Sequence, residues 1–250
     1  MPPQFDIERS AALDGVAHGF FGSGGGAHQF GFGGPGAQET VKATRAAAAD
    51  ALKSSLRVVT PHQVHSPDVI RVAEPWDDEP EGRPVADAVV TDQPGLALGV
   101  VTADCAPVLF ADREAGVIGA AHAGWRGAQG GVLENTIAVM ERIGAKRSRI
   151  AAAIGPTIAQ ASYEVDAPFR ERFTPADEVH FERAPQREGT PRWRFDLPGY
   201  VAAQISLSEV HKIHDLGRDT FPLPARYHSY RRASSAGEPN YGRQIALIAL

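Results

Sequence analysis

A single cysteine, Cys105, occurs in the 250 residues. No internal disulfide can form, which excludes a small scaffold stapled for the extracellular space. Long hydrophobic runs are missing too: every apolar stretch is broken by Asp, Pro or Gly before it reaches membrane-spanning length. Excess positive charge is also lacking. The 25 Lys and Arg against 30 Asp and Glu leave a formal net charge of −5, which gives no general electrostatic grip on nucleic acid or anionic lipid. The start, MPPQFDIERS, has no basic segment followed by an apolar core, so no signal peptide is expected. These absences predict a soluble, cytoplasmic protein with neither nucleic-acid nor membrane partners; they leave the oligomeric state open.

What is present is ordinary globular material, 43% hydrophobic and 22% charged, enough to bury a full core. Residues 22–36 are rich in glycine, a loop that could wrap an anion with bare N–H groups but lacks the Lys-Ser/Thr ending of a P-loop. Residues 39–52 are alanine-rich and helix-forming. Short β-branched runs at 56–60, 69–72, 86–91, 96–102, 108–111, 117–121, 150–154 and 245–250 read as strands, with Pro94-Gly95 as a turn between two of them. Apolar spacing predicts one helix over 127–143 and another from Asp196 to about His211, and Asp166 N-caps a third. Residues 183–192 read as a polar loop. Strands outnumber helices and often follow one another directly, which predicts an α+β fold: a single domain over 1–250, with mixed β-sheets flanked by helices.

Two of the strands end in reactive groups. Thr102-Ala103-Asp104-Cys105 closes one and Ala121-His122-Ala123-Gly124 another, so a thiol and an imidazole can meet where neighbouring strands finish. Cys105 and His122 therefore fit a nucleophile and base, or two ligands of a metal; a free cysteine also packs as a small hydrophobe. With one cysteine, a catalytic zinc site must be completed by histidine or carboxylate. His62 and His65 cluster at a strand edge, where only one of them points inward. His211 and His214 lie three apart on an expected helix face. Arg126 opens a helix, where a guanidinium beside free N–H groups can hold an anion.

The motifs HGFF (18–21), HQVHS (62–66), ADAVVTD (86–92), TADCAPVLFAD (102–112), AAHAGWRG (120–127), AIGPTI (153–158), YEV (163–165), SYRR (229–232) and YGRQIALIAL (241–250) run in order along nearly the whole chain. In these the sequence resembles the YfiH family, also called DUF152 and formerly labelled polyphenol oxidase or laccase. The resemblance implies an α+β fold shared with certain Cys/His toxin deamidases. It also implies a metal held by His65, Cys105 and His122. Cys105 and His122 are then the expected reacting centre and Gln63, Asp104 and Arg126 the expected substrate contacts, with Arg126 or helix N–H groups holding an anion and Asp104 orienting His122 or accepting a ribose hydroxyl. Zinc is the implied ion and copper the alternative. The implied activity is that of a purine nucleoside phosphorylase, which converts adenosine, inosine, guanosine or methylthioadenosine and phosphate into base and ribose 1-phosphate, with adenosine deamination beside it. Two other readings stand: a metal-free Cys/His hydrolase or deamidase, and copper-dependent phenol oxidation. The nine histidines include no His-X-His pair of the kind multicopper oxidases use, which argues against a true laccase. The chain departs from its relatives at Gly22-Ser23, where they usually carry Thr-Arg; if that arginine holds an anion, this chain binds phosphate more weakly there or borrows a positive charge from elsewhere.

Overall fold

The computed structural model describes residues 4–187 and 189–250. One sheet has five strands in the order Ile7–Glu8, Ala17–Phe21, Gln244–Ala249, Leu96–Thr102, Arg57–Val59. A second has six, in the order Lys212–Asp215, Ala151–Ile154, Ala106–Asp112, Val117–Ala123, Ala88–Thr91, Val69–Arg71. Both are mixed. Arg57–Val59, Val69–Arg71 and Lys212–Asp215 each lie parallel to their neighbour, and the remaining pairs are antiparallel.

Side-chain alternation stacks the two sheets face to face. Leu98 and Val100 of one sheet, with Ala246 and Ile248, meet Leu109, Ala111, Ile118 and Ala120 of the other in one buried cluster. Residues of opposite parity serve the outer faces. Ala97, Ile245 and Leu247 pack with Phe21, Ala48 and Ala49, under the helix Gln38–Leu52. Val108, Phe110, Val117 and Ala121 pack with Val132, Leu133, Ile137, Met140, Val201 and Ile205 of the helices Val132–Arg142 and Leu197–Leu207. The result is a four-layer α+β sandwich, helix over sheet over sheet over helices. Each of its fully buried Leu, Ile, Val and Phe side chains contributes about 1.5–3 kcal/mol by leaving water.

Three expectations are corrected. The helix expected over 127–143 is two, Trp125–Gly130 and Val132–Arg142, because Gly131 between them has φ +98°. The polar stretch 183–192 is mostly strand: Phe181–Arg187 pairs with Thr190–Phe195 in a small third sheet with Glu164–Val165. Its largely exposed side chains leave no period-2 apolar signal to read. His214 lies on the strand Lys212–Asp215 and His211 precedes it, since Leu197–Leu207 stops short of both. The turn at Pro94-Gly95 is present, with Gly95 at φ +82°, but it carries the chain from the six-stranded sheet to the five-stranded one instead of closing a hairpin.

Candidate metal centre

His122 lies in Val117–Ala123 on the same face as Ile118 and Ala120, which points it into the space between the sheets at their end. Its register partner is Pro107, so Cys105, two residues earlier, falls beside it. Asp104 makes the tight entry into that strand at φ +85°. His65 arrives from a loop and is itself left-handed, φ +64°. The ligand atoms of His65, Cys105 and His122 lie within 4.8 Å of one another, with Cys105 Sγ 3.7 Å from His65 Nε2. They are the one group of three or more Cys, His, Asp or Glu close enough to hold a metal ion among the described residues.

One carboxylate builds the frame around them. Asp87, wholly buried, accepts from the backbone N–H of Val64 (3.0 Å), His65 (2.9 Å) and Ser66 (2.6 Å), and pairs with His122 Nδ1 at 2.7 Å. The loop bearing His65 and the ring of His122 are thus tied to the same two oxygens. Burial works against ionisation of Asp87, but the hydrogen bond and charge of His122, with the N–H donors, outweigh it and hold the carboxyl at about 2. A carboxylate on Nδ1 takes the proton there and leaves the Nε2 lone pair free to ligate.

The donors fit a metal. Burial disfavours the Cys105 thiolate, but His122 and His65 more than offset it and draw the thiol below its ordinary range. In the metal-free protein His122 is correspondingly raised, its burial outweighed by the Cys105 charge and the Asp87 contact. A thiolate and two imidazoles, with a fourth direction open to a cavity, are the donor set of an open metal site. Gly124 keeps that space clear: a Cβ there would sit 2.8 Å from Cys105 Sγ and 2.9 Å from His65 Cδ2.

Two cavities meet at the cluster. The larger, about 450 Å³, is lined by Trp125, Arg126, Tyr163, Leu197, Tyr230 and Arg231 among others. The smaller, about 240 Å³, is lined by Phe32, Arg45, His62, Gln63, Arg83 and Arg243 among others. His65, Ala103, Cys105 and Tyr241 belong to both walls.

The expected substrate contacts divide. Arg126 is exposed at the mouth of the larger cavity, its guanidinium 4.9 Å from the Trp125 ring. Asp104 lines the same cavity, but its oxygens accept from Thr220 Oγ1 (2.6 Å), Ser229 Oγ (2.9 Å) and the Arg231 N–H (2.6 Å), and the partner of His122 is Asp87. Gln63 exchanges two hydrogen bonds with the backbone of Val101, 2.8 and 2.9 Å, which pins the HQVHS loop to the five-stranded sheet. Of the strand-edge pair, His65 joins the cluster and His62 faces the smaller cavity. Asp87 escaped the sequence reading. It stands inside the ADAVVTD motif, but an acid just ahead of a buried strand carries no spacing that links it to His122.

A two-sheet sandwich with a Cys/His₂ cluster opening into a pair of cavities defines a class of α+β proteins with the donors to hold a metal ion. The chain belongs to the family described as multi-copper polyphenol oxidoreductase laccase, whose model matches residues 14–250. It is 39% identical over 191 residues, 76% of this chain and 68% of the relative, to a purine nucleoside phosphorylase of Deinococcus radiodurans. A purine nucleoside phosphorylase of Rickettsia conorii is 35% identical over 184 residues, 74% of each chain. Among solved structures, a Neisseria meningitidis protein of family DUF152 superposes with a TM-score of 0.82 at 30% identity, covering 99% of both chains, and Bacillus licheniformis YfiH with 0.81 at 26% identity, covering 94% of this chain and 92% of that one. The family and the α+β fold expected from the motifs are borne out. No helix among the described residues is long and apolar enough to cross a membrane.

Proposed function

We propose that the protein is a zinc-dependent purine nucleoside phosphorylase whose reacting centre is the His65–Cys105–His122 cluster. The observation that carries this reading is the placement of His65 and Cys105 on the shared wall of two cavities, with His122 beside them on the smaller one, in a chain whose relatives are named purine nucleoside phosphorylases. In the reaction a phosphate oxygen bonds to C1′ of the ribose, the C1′–N9 bond breaks, and its electron pair leaves with the purine, which takes up a proton. The products are the free base and ribose 1-phosphate.

His65, Cys105 and His122 would hold the ion, and bound there it would supply Lewis acidity. The chain's own groups do the remaining work. Trp125 and Tyr163 offer ring faces for the purine. The Arg231 guanidinium lies 5.2 Å from the Tyr163 ring and donates to the Glu164 carbonyl at 2.8 Å, which holds that face rigid. Asp104 fixes the segment carrying Tyr230 and Arg231 against the strand end that bears Cys105. The same centre would serve deamination of adenosine as a side reaction.

The thiolate–imidazole geometry also suits a metal-free Cys/His hydrolase or deamidase, but that chemistry gives His65 no task. Phenol oxidation by copper at the same three donors is the remaining alternative. Incubation of purified protein with inosine or adenosine, with and without phosphate, followed by chromatography, tests the proposal. Phosphate-dependent release of hypoxanthine or adenine, about one zinc per chain, and loss of both in Cys105→Ala are expected. Zinc-free protein with full activity, or no phosphate-dependent product, overturns it.

A further inference from the structure

The two cavities differ in chemistry as well as size. No carboxylate lines the smaller one, and three guanidiniums reach it. Arg45 is buried in the helix Gln38–Leu52, with Nη1 2.6 Å from Asp78 and Nε donating to the Phe30 carbonyl at 2.7 Å, so its charge is matched. Arg83 and Arg243 form no ion pair among the described residues. Arg83 spends Nη1 on Thr60 Oγ1 (3.1 Å) and the Pro61 carbonyl (3.0 Å), and its Nε is buried with no protein partner. Nη1 of Arg243 is likewise buried and unpartnered. Arg45 and Arg83 sit 4.3 and 5.1 Å from the centre of the one Phe32 ring, which brings two like charges together. Burial and the Arg45 charge pull Arg83 down to about 10, with the Asp78 charge offsetting only part of it. Gly31 and Gly33 of the glycine-rich loop form part of the wall.

The larger cavity is mainly aromatic and apolar, with Arg126 exposed at its mouth and Arg231 held by the Glu164 carbonyl. Trp125, Tyr163, Tyr230, Ile158 and Leu197 line it, and its one carboxylate, Asp104, is committed to internal hydrogen bonds. At about 450 Å³ it falls in the range of about 300–1,000 Å³ that holds small organic ligands; at about 240 Å³ the smaller falls below that range and suits an inorganic ion.

We propose that the smaller chamber is the phosphate subsite, with Arg83 and Arg243 as its anion-binding side chains, and that the nucleoside occupies the aromatic chamber, phosphate and C1′ meeting where the two chambers adjoin at His65 and Cys105. This rests on the phosphorylase reading and assigns phosphate away from Arg126, which is exposed at the mouth of the nucleoside side. The guanidinium N–H groups that Arg83 and Arg243 do not spend on the protein donate to phosphate oxygens, and the two substrates meet at the cluster.

Steady-state kinetics on Arg83→Gln, Arg243→Gln and Arg126→Gln, together with ³¹P line broadening of inorganic phosphate by the metal-loaded proteins, test the assignment. Either chamber variant is expected to raise the KM for phosphate about tenfold or more, to leave the KM for inosine within about twofold, and to weaken phosphate broadening. Arg83→Lys should recover part of the loss. Metal content and melting temperature near those of the parent identify variants that are folded, and Arg243→Lys replaces any glutamine variant that is not. An unchanged phosphate KM in both folded chamber variants, or a rise confined to Arg126→Gln, overturns the proposal while phosphorolysis stands. Phosphate binding that depends on Arg83 and Arg243 in a protein that cleaves no nucleoside supports the chamber and overturns the phosphorylase reading. No phosphate binding and no cleavage by the parent protein overturns both.

Discussion

The Asp87 carboxylate accepts from His122 and from three successive N–H groups around His65, so an Asn there has to turn its NH₂ toward some of those donors. If the amide donates to Nδ1, the imidazole proton moves to Nε2 and the ligand lone pair is lost. Asp87→Asn is therefore expected to lower metal affinity about 10–100-fold in a folded protein, measured by competition with a chromophoric chelator. Affinity equal to the parent would show that Asp87 does not hold the tautomer. The three cluster residues were legible because reactive residues at the ends of apolar runs are conspicuous, and because HQVHS, TADC and AHAGWRG carry a family resemblance. Asp87 was not, because its role comes from a register, Ala88 opposite Ala121, that only the folded sheet creates. Arg243 was visible as a basic residue but could not be placed, and Arg83 lay in an acidic, proline-rich loop with nothing to mark it.

Elements bring the ligands together through strand ends, and two substitutions probe that separately. Gly124 has φ −70°, which any residue adopts, so Gly124→Ala carries no backbone strain and acts only through its methyl, 2.8 Å from Cys105 Sγ. Native far-ultraviolet circular dichroism with less than half the parent's metal content is the expected result; full metal loading would refute the steric account. At the opposite end of the strand Ala106–Asp112, Asp112 accepts from the N–H groups of Glu114, Ala115 and Lys146 and from the Arg149 guanidinium. Burial raises its pKa, yet Arg149 and the backbone donors prevail and depress it. A depressed carboxylate contributes stability that is fully present above its unfolded pKa and lost as pH falls through the folded value. Asp112→Asn is expected to cost about 2–3 kcal/mol at pH 7 in denaturant titrations, with the gap from the parent closing below about pH 4. A gap independent of pH would assign the loss to packing. Element boundaries were readable where apolar periodicity exists, as in Leu96–Thr102 and Gln244–Ala249. They failed where an exposed hairpin pairs polar residues, and at Gly131, where a left-handed residue splits a continuous apolar period.

At the scale of the molecule, the cluster joins a loop, a strand entry and a strand end that lie far apart in sequence, so a bound ion favours the native state over a chain that cannot assemble the three donors. The four-layer core does not depend on it. The clusters between and outside the two sheets are closed by Leu, Ile, Val, Phe and Ala, with Met140 and Tyr200 added on the helix side, in contrast to small domains that need a metal to fold. The sequence showed the composition for such a core and the α+β class. It did not show the stacking of the sheets, since parity along one strand cannot say which other strand it will face. Chelation should therefore leave the fold intact at 25 °C and lower only the melting temperature. With free metal at about 100 times its dissociation constant, linkage contributes about 2.7 kcal/mol. For a chain of this length that corresponds to a drop of about 5–10 °C on stripping. His65→Ala should melt near the stripped parent and respond little to chelator or to added zinc, as followed by scanning calorimetry. A parent protein that unfolds at 25 °C on chelation would make the ion part of the core, and one whose melting is indifferent to it would mean that the three donors do not bind an ion tightly in the native state.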